Sequence, residues 1–276
     1  MRILSLAPSN TEILFALGLG KNIIGVTSYC DYPEEAKRKP KVGSWITTNP
    51  ERIKELSPDF IFTSYFLPPV FENWQGPGKV IHVAPKTLNE VFESILLLGR
   101  YTNCIKKAED LVQKMKTSFA QLQTPNLPYL PNHPNVYMEE WPARLVFGES
   151  VGGRPEPTSA SKKSSKTGGA FVSGNWVPEL VEIAGGTPII AKTGKPSFDY
   201  KFTSLISSDP DIMIFHHCGF GTRFDKDMIR KRPGWNNLKA VKEDKVFVID
   251  DSLLNRPGPR LVKGAKKIQE ILQRYY

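Results

Sequence analysis

The stretch Gly148-Glu149-Ser150-Val151-Gly152 has the spacing of a hydrolase nucleophile, G-x-S-x-G. In that motif the serine lies on a sharp turn between a strand and a helix. An acidic residue and then a histidine follow it along the chain, and Asp211 and His216 come in that order. The residues that come next, Gly153 to Pro157, contain two prolines, so no helix is expected there. A serine hydrolase using Ser150 is therefore a remote alternative, and a protein with no catalytic residues is the leading interpretation.

A second chemical stretch, His216-His217-Cys218, has the side chains of a metal site. Tight metal sites need three or four convergent ligands, and the other histidines of the chain are His82 and His133. Adjacent residues at the end of a strand also point to opposite faces. We therefore predict no metal site, with one of the two histidines packed and the other facing a cleft. An axial contact from one of them to a metal that the ligand itself carries stays open, and His216 is the candidate ligand contact.

Aromatic residues at the ends of predicted strands are the most informative class. In parallel sheets, ligands bind outside the carboxyl ends of the strands. Flat, rigid rings at those ends suit a large planar or polycyclic ligand. The candidates that follow strands are Tyr29, Tyr65, Phe66, Trp141 and Phe220, and two more, Trp45 and Phe171, precede helices.

Strands and helices alternate along the chain, which predicts an α/β fold with parallel sheets covered by helices. The predicted strands are Ile3–Leu6, Ile23–Val26, Phe60–Thr63, Val80–Val83, Val136–Glu139, Ile189–Ile190, Ile212–Phe215 and Val246–Ile249. Helix signals include a capping box, Ser9-x-x-Glu12, before Thr11–Leu17, and Asn49 as the cap of a helix that begins at Pro50. The last predicted helix is Pro259–Tyr276.

The two halves of the chain resemble each other in three places, in the same order. The clearest pair is Leu56-Ser57-Pro58-Asp59 before Phe60–Phe62, and Ser208-Asp209-Pro210-Asp211 before Ile212–Phe215. Similar pairs join Thr11–Ile24 to Pro178–Ile190, and Lys79–Val83 to Lys245–Ile249. We therefore predict two Rossmann-like lobes that arose by duplication.

An amphipathic stretch, Asn103 to Gln123, separates the two copies and predicts one long helix. The predicted organisation is an N-terminal α/β lobe, 1–102, a connecting helix, 103–124, and a C-terminal α/β lobe, 125–276, with a flexible polar insertion at 148–169. The chain is expected to cross between the lobes once, along a rigid helix. Such a linker allows little closure, so a ligand cleft between the lobes would be largely pre-formed.

Composition is that of a globular protein, with 40% hydrophobic and 24% charged residues. The net charge of +9 comes mostly from dispersed lysines, so we predict no nucleic-acid partner. The expected oligomeric state is a monomer. No apolar run reaches the ~20 residues of a membrane helix. The first strand begins near Met1 and leaves no room for a signal peptide. The location as written is therefore cytoplasmic, or periplasmic or cell-surface if a leader was removed.

Five short motifs are distinctive: Tyr29-Cys30-Asp31-Tyr32-Pro33-Glu34, Val42-Gly43-Ser44-Trp45, Asn49-Pro50-Glu51-Arg52-Ile53, Phe171-Val172-Ser173-Gly174 and Arg256-Pro257-Gly258-Pro259-Arg260-Leu261. They resemble motifs of the vitamin B12 substrate-binding proteins of ABC transporters. The match covers nearly the whole chain except about 148–169. The broader family also takes iron–siderophores and haem.

The resemblance implies two Rossmann-like lobes joined by one helix, cobalamin or another corrinoid as the bound ligand, and the membrane permease of a transporter as partner. Tyr29, Trp45 and Phe171 match pocket aromatics of the family, and Trp176, Gly219 and Trp235 are candidates by position. An iron–siderophore ligand is the alternative, with Arg144, Arg154, Arg223 and Arg256 as its cations; haem and a cytoplasmic corrinoid carrier are others.

Docking to the transporter is implied at Glu51, which matches an acidic residue on the tip of the first lobe. The matching position on the second lobe is Thr203, which is not acidic. The sequence therefore predicts either docking through Asp199 or a neighbouring group, or a corrinoid binder without a transporter.

Overall fold

The structure, a computed structural model, describes residues 1–44, 47–65, 67–123, 133–141 and 170–275. It divides into two compact units. Unit 1 comprises Met1–Thr117 and Arg256–Pro259, and unit 2 comprises Ser118–Asn255 and Arg260–Tyr276. Within the described residues, no helix is both long and apolar enough to cross a membrane.

Unit 1 contains one four-stranded parallel sheet with the strand order β2-β1-β3-β4. Its strands are β1 (Ile3–Ser5), β2 (Ile23–Val26), β3 (Phe60–Thr63) and β4 (Lys79–His82). Its helices are α1 (Pro8–Ala16), α2 (Glu34–Lys37), α3 (Pro50–Leu56) and α4 (Leu88–Tyr101), with the first part of α5 (Ile105–Gln123). Short 3₁₀ turns occur at Gly20–Asn22 and Pro69–Phe71.

The start of α1 differs from the prediction. The helix begins at Pro8, so Ser9 and Glu12 lie inside it, and the N-cap residue, Ala7, makes no side-chain cap. The predicted capping box is therefore wrong, because proline at the first helical position is the signal that governs this end. At α3 both predicted signals are confirmed, since the Asn49 side chain accepts a hydrogen bond from the Arg52 amide and Pro50 opens the helix.

The apolar stripe of the long helix α5 is confirmed at Ala108, Val112, Met115 and Phe119, which are all buried. Its predicted first residue is wrong, because Asn103 has a φ of +58° and the helix begins at Ile105. The division between the units falls inside α5, after Thr117. The predicted boundaries at 102 and 124 stay predictions, and the insertion 148–169 lies outside the described residues.

Unit 2 is built on a mixed sheet with a parallel centre. Parallel strands β5 (Asn135–Trp141), β11 (Ile212–Phe215) and β12 (Val246–Val248) form that centre, and β8 (Thr187–Pro188) pairs with the start of β5. Two short strands extend it in antiparallel order, β6 (Phe171–Val172) and β10 (Phe198–Asp199). A separate ladder joins β7 (Gly174–Asn175) to β9 (Lys192–Thr193).

The helices of unit 2 are α6 (Val177–Ile183), α7 (Phe202–Ser208), α8 (Asp227–Arg230), α9 (Lys239–Lys242) and α10 (Leu261–Leu272), with 3₁₀ turns at Trp235–Asn237 and Asp251–Leu253. The predicted strand at Ile189–Ile190 is wrong, because pairing ends at Pro188 and Ile190 has a φ of +65°. The α/β class with parallel sheets is confirmed; the antiparallel strands β6 and β10 add to it.

The internal repeat is confirmed in local geometry. Helices α3 and α7 both end in a left-handed residue, Ser57 at φ +41° and Asp209 at φ +33°. The carboxylate of Asp59 then accepts the Arg2 amide at 2.7 Å. In the same way, the carboxylate of Asp211 accepts the Asn135 amide at 2.9 Å. Each aspartate therefore ties the start of a central strand to the strand beside it.

The segment Arg256–Pro259 belongs to unit 1 although the residues on both sides of it belong to unit 2. Arg256 donates hydrogen bonds to Glu12 and Asp31, and Gly258 lies beside Ser9 and Ile13. The prediction of a single crossing is therefore wrong, because the chain returns to unit 1 after Asn255 and leaves it again at Arg260.

Candidate functional site

Two tyrosines at the carboxyl end of the unit 1 sheet expose much of their side chains. Tyr29 follows β2 and is 45% exposed, and Tyr65 follows β3 and is 47% exposed. Large hydrophobic side chains are usually buried, so half-exposed rings at this edge are candidates for ligand contact. Two other predicted contacts, Trp45 and Phe66, lie outside the described residues.

The loop that carries Tyr29 is anchored by contacts among small buried side chains. The Cys30 thiol is buried and lies 3.2 Å from the hydroxyls of both Thr11 and Thr27. Burial raises the pKa of the Cys30 thiol, which makes it a packing residue and not a nucleophile. Beside the loop, the backbone amide of Ser28 donates a hydrogen bond to the carbonyl of Gly43. Gly43 has a φ of +119°, a backbone conformation that favours glycine.

Arg256 closes the other side of this loop with an ion cluster. Its guanidinium donates to both carboxylate oxygens of Asp31, at 2.5 Å and 3.2 Å, and to Glu12 at 3.2 Å. The carboxylates of Asp31 and Glu12 overcome the effect of burial and raise the pKa of Arg256. Because two carboxylates already neutralise it, Arg256 is a poor anchor for an anionic chelate.

In unit 2, Trp141 and Phe171 are cross-strand neighbours. Trp141 is the last residue of β5, Phe171 is the first residue of β6, and the two are paired in the antiparallel register. Both side chains are partly buried. The register shifts between Glu139 and Trp141, so this pair lies beside an irregularity of the ladder. The pairing still puts both aromatic residues at the same edge of the sheet.

Two other predicted tryptophans are buried. Trp176 is 7% exposed, and its indole donates to the carbonyl of Leu254 at 2.7 Å. Trp235 is 5% exposed and stacks on Phe202 at a centroid distance of 5.6 Å. Their packing leaves little ring surface for a ligand, and their assignment as contacts stays a prediction.

The turn after β11 contains the candidates Gly219 and Phe220. The Asp251 carboxylate accepts the amides of Gly219, at 2.7 Å, and Gly221, at 2.8 Å. Both glycines have positive φ, so this tight turn depends on residues without a side chain. It leaves Gly219 exposed and Phe220 partly buried beside the His217 ring.

The expectation that one of the two histidines faces a cleft is not met, since His216 and His217 are both 0% exposed. They do point in different directions. His216 lies 2.6 Å from the Ser173 hydroxyl and 2.5 Å from the Asn255 side-chain oxygen. His217 lies 2.8 Å from a Glu139 oxygen. Within the described residues, no group of three or more His, Cys, Asp or Glu side chains could hold a metal ion.

The most polar feature of unit 2, which the sequence reasoning missed, surrounds Glu139. This fully buried carboxylate accepts hydrogen bonds from both terminal nitrogens of Arg232, each at 2.7 Å. It also accepts hydrogen bonds from the Tyr137 hydroxyl and from the ring of His217. Burial by itself would raise the pKa of Glu139, but Arg232 and His217 lower it to about 2. Glutamate in the apolar strand Val136–Glu139 was the available signal, because a buried charge needs a partner.

Acidification will destabilise the protein through His216. Burial lowers the pKa of His216 from its ordinary value of 6.5 to about 4, so between these pH values only the unfolded chain binds the proton. Stability is therefore complete above pH 6.5, and about 3 kcal/mol is lost as the pH falls to about 4. Chemical unfolding at several pH values measures this. The same slope in His216→Gln above pH 4.5 would contradict it.

The two positions implicated in docking are equivalent in the repeat. Glu51 is the second residue of α3, and Thr203 is the second residue of α7. Both are exposed, and Glu51 pairs with Lys54 at 2.9 Å. Among the neighbours of Thr203 in the sequence, Asp199 is also exposed.

Ser150, Arg144 and Arg154 lie outside the described residues. Arg223 is exposed and donates to the carbonyls of Gly219 and Phe220. The described residues therefore do not test the serine hydrolase alternative, which depends on Ser150. The iron–siderophore alternative is tested only at Arg223 and Arg256.

Two α/β units that present aromatic side chains at the carboxyl ends of parallel strands define a ligand-binding class of protein. Residues 3–253 match the periplasmic binding protein family, and the chain belongs to it. A vitamin B12-binding protein of Yersinia pestis is 50% identical, over 97% of this chain and 84% of that protein.

Two solved structures show the same fold. The periplasmic vitamin B12-binding protein BtuF of Vibrio cholerae has a TM-score of 0.65 at 22% identity, covering 100% of this chain and 98% of that one. The periplasmic heme-binding protein BhuT, in complex with two hemes, has a TM-score of 0.79 at 18% identity, covering 99% of this chain and 98% of that one.

Proposed function

We propose that this protein binds a corrinoid, such as cobalamin, and delivers it to the membrane permease of an ABC transporter, with a binding and not a catalytic role. The observation that carries the proposal is a set of aromatic side chains in both units. Those at or after the carboxyl ends of strands are Tyr29, Tyr65, Trp141 and Phe220, and Phe171 begins the antiparallel strand β6 opposite Trp141. A corrinoid has a broad, flat ring, and such rings gain most from apolar and aromatic contact.

Charge supports a corrinoid over an iron–siderophore. A corrinoid carries uncharged amide side chains around its ring, whereas many ferric siderophores are anionic. Arg256, which pairs with this loop through Asp31, is already neutralised by Asp31 and Glu12. A ligand with neutral amides loses nothing from this arrangement, while an anionic chelate meets two carboxylates.

Haem is the second candidate, and one observation favours it. Tyrosine can ligate haem iron, and Tyr29 and Tyr65 are both about half exposed. The histidines next to the predicted contacts, His216 and His217, are buried and hydrogen-bonded, which removes them as axial ligands without a rearrangement. Spectra distinguish the two ligands, because tyrosinate-bound ferric haem has its own absorption bands.

Docking to the permease is proposed through Glu51 on the exposed start of α3. In unit 2, Asp199 is the acidic group proposed to take the place that Thr203 leaves neutral. Glu51→Ala is expected to weaken capture by the permease and to leave ligand affinity unchanged.

Cyanocobalamin will bind one to one, and Tyr65→Ala will weaken it by about tenfold or more, as expected for removal of a large aromatic contact. Visible absorption and calorimetry with cyanocobalamin, hemin and a ferric siderophore measure the preference. Tyr275→Ala, which removes another partly exposed ring, is the matched control and keeps full affinity. Absence of cyanocobalamin binding at tens of micromolar would overturn the corrinoid proposal, and saturable hemin binding would then support the alternative.

A further inference from the structure

His216 is fully buried, yet each of its ring nitrogens faces a polar partner. One partner, Ser173, lies two residues after Phe171, and the other, Asn255, is the last residue of unit 2 before the chain enters unit 1. The side-chain nitrogen of Asn255, Nδ2, donates a hydrogen bond to the backbone carbonyl of His216 at 3.3 Å. The side-chain oxygen, Oδ1, is therefore the Asn255 atom that faces Nδ1 of His216. Nδ1 therefore carries the hydrogen, and Nε2 accepts from the Ser173 hydroxyl.

The backbone around Asn255 is fixed as well. The backbone amide of Asn255 donates a hydrogen bond to the carbonyl of Asp251 at 2.7 Å, and the indole of Trp176 donates one to the carbonyl of Leu254 at 2.7 Å. The next residue along the chain is Arg256, which donates to Asp31 and Glu12 in unit 1. Asp31 lies two residues after the candidate contact Tyr29. One series of hydrogen bonds and a single peptide link therefore connects Ser173 to the Tyr29 loop.

We propose that His216 is a positioning residue, which acts through Asn255 to place Arg256 against Asp31 and so orders the loop that carries Tyr29. Its role in ligand binding rests on the proposed function, but its effect on the loop does not. The physical reason is local: hydrogen bonds to His216 and to the Asp251 carbonyl restrict Asn255, and one peptide bond joins Asn255 to Arg256. The guanidinium of Arg256 in turn meets both Asp31 oxygens and Glu12.

Amide hydrogen exchange tests the proposal without any ligand. His216→Leu removes both ring contacts, and amides at residues 28–36 of unit 1 are expected to exchange about tenfold faster. His216→Gln, which can still accept and donate, restores most of the protection. Asn255→Ala changes a partly exposed residue, so it keeps the test informative if His216→Leu does not fold. It is expected to have the same effect as His216→Leu.

The control is Leu205→Ala, which truncates a fully buried side chain of unit 2 outside this series. It destabilises unit 2 and leaves exchange at 28–36 unchanged. If His216→Leu and Asn255→Ala also leave 28–36 unchanged, His216 is only a packing residue and the proposal is overturned.

A second arm uses cyanocobalamin and a double-variant cycle between His216→Leu and Asp31→Asn. Linked residues give non-additive changes in affinity, whereas independent ones add. Additive changes would contradict the proposal. If the unmodified protein does not bind cyanocobalamin, the proposed function fails, and the exchange result alone decides the role of His216.

Discussion

Glu139→Leu will lower the free energy of unfolding by about 3–5 kcal/mol, because it leaves Arg232 buried without its counter-charge. The side chain of Arg232 is only 2% exposed, and Glu139 accepts both of its terminal nitrogens. The substitution also removes the acceptor of the Tyr137 hydroxyl and of His217. Guanidinium unfolding, followed by near-ultraviolet signals of unit 2, measures the loss.

The matched control is the double variant Glu139→Leu with Arg232→Met. It replaces the whole ion pair with apolar side chains, and such replacements are often neutral or stabilising. We expect it to recover most of the lost stability, helped by contact of the new methionine with Trp235, over which Arg232 now lies at 4.5 Å. A single variant that loses less than about 1 kcal/mol would show that Arg232 finds another partner or reaches water.

Acid has the same effect on this cluster as the substitution. Because Arg232 and His217 lower the pKa of Glu139 from its ordinary value of 4.5 to about 2, despite burial, the folded state resists protonation. The stability that Glu139 contributes is present above pH 4.5 and is lost as the pH falls towards 2. As the pH falls, the loss of stability from Glu139 comes after the loss from His216, which begins at higher pH. The loss from Glu139 is expected to be absent from the double variant Glu139→Leu with Arg232→Met.

Replacing both Trp141 and Phe171 with alanine will weaken cyanocobalamin binding by about 100-fold or more. The two residues are paired across β5 and β6, so each single variant leaves one of the two rings in place. Truncation of a central aromatic contact removes about 2–4 kcal/mol of binding free energy, and two neighbouring truncations compound the loss. Calorimetric titration of the single and double variants measures it.

The control for this pair is Phe198→Ala, a partly buried aromatic residue on the neighbouring strand β10. It tests whether loosening the sheet edge is enough to weaken binding, and we expect a change of less than about threefold, as for a residue outside the contact set. Equal losses from Phe198→Ala and from the Trp141 and Phe171 pair would assign the effect to the sheet edge. No loss from the pair would remove these rings from the site.

Much of the fold was predictable because its signals are local. The Asn49 cap, Pro50 at the first helical position, and the apolar runs Phe60–Thr63 and Ile212–Phe215 each act within a few residues of their own position. The repeat was also predictable, because Asp59 and Asp211 perform the same task at the start of equivalent strands. The family motifs, such as the stretch from Tyr29 to Glu34, add the class of protein.

Other features depend on residues far apart in sequence and appear only in the tertiary structure. Glu139 and Arg232 are 93 residues apart, and Arg256 is 225 residues from Asp31. Hydrophobic periodicity records which face of an element is buried, but not which charge lies opposite another. The burial of His216 and Trp176 belongs here too, since it depends on Asn255 and Leu254, which lie far along the chain.

The amino-acid sequence by itself determined the α/β class, the duplicated strands and the positions of the aromatic candidates, since these follow from short-range patterns of apolar residues, caps and turns. The tertiary structure alone decided which of the charged residues are neutralised, which aromatic rings stay exposed, and that Arg256–Pro259 returns to unit 1. The physical reason is that exposure and electrostatic pairing depend on distances across the folded chain, which local patterns do not encode.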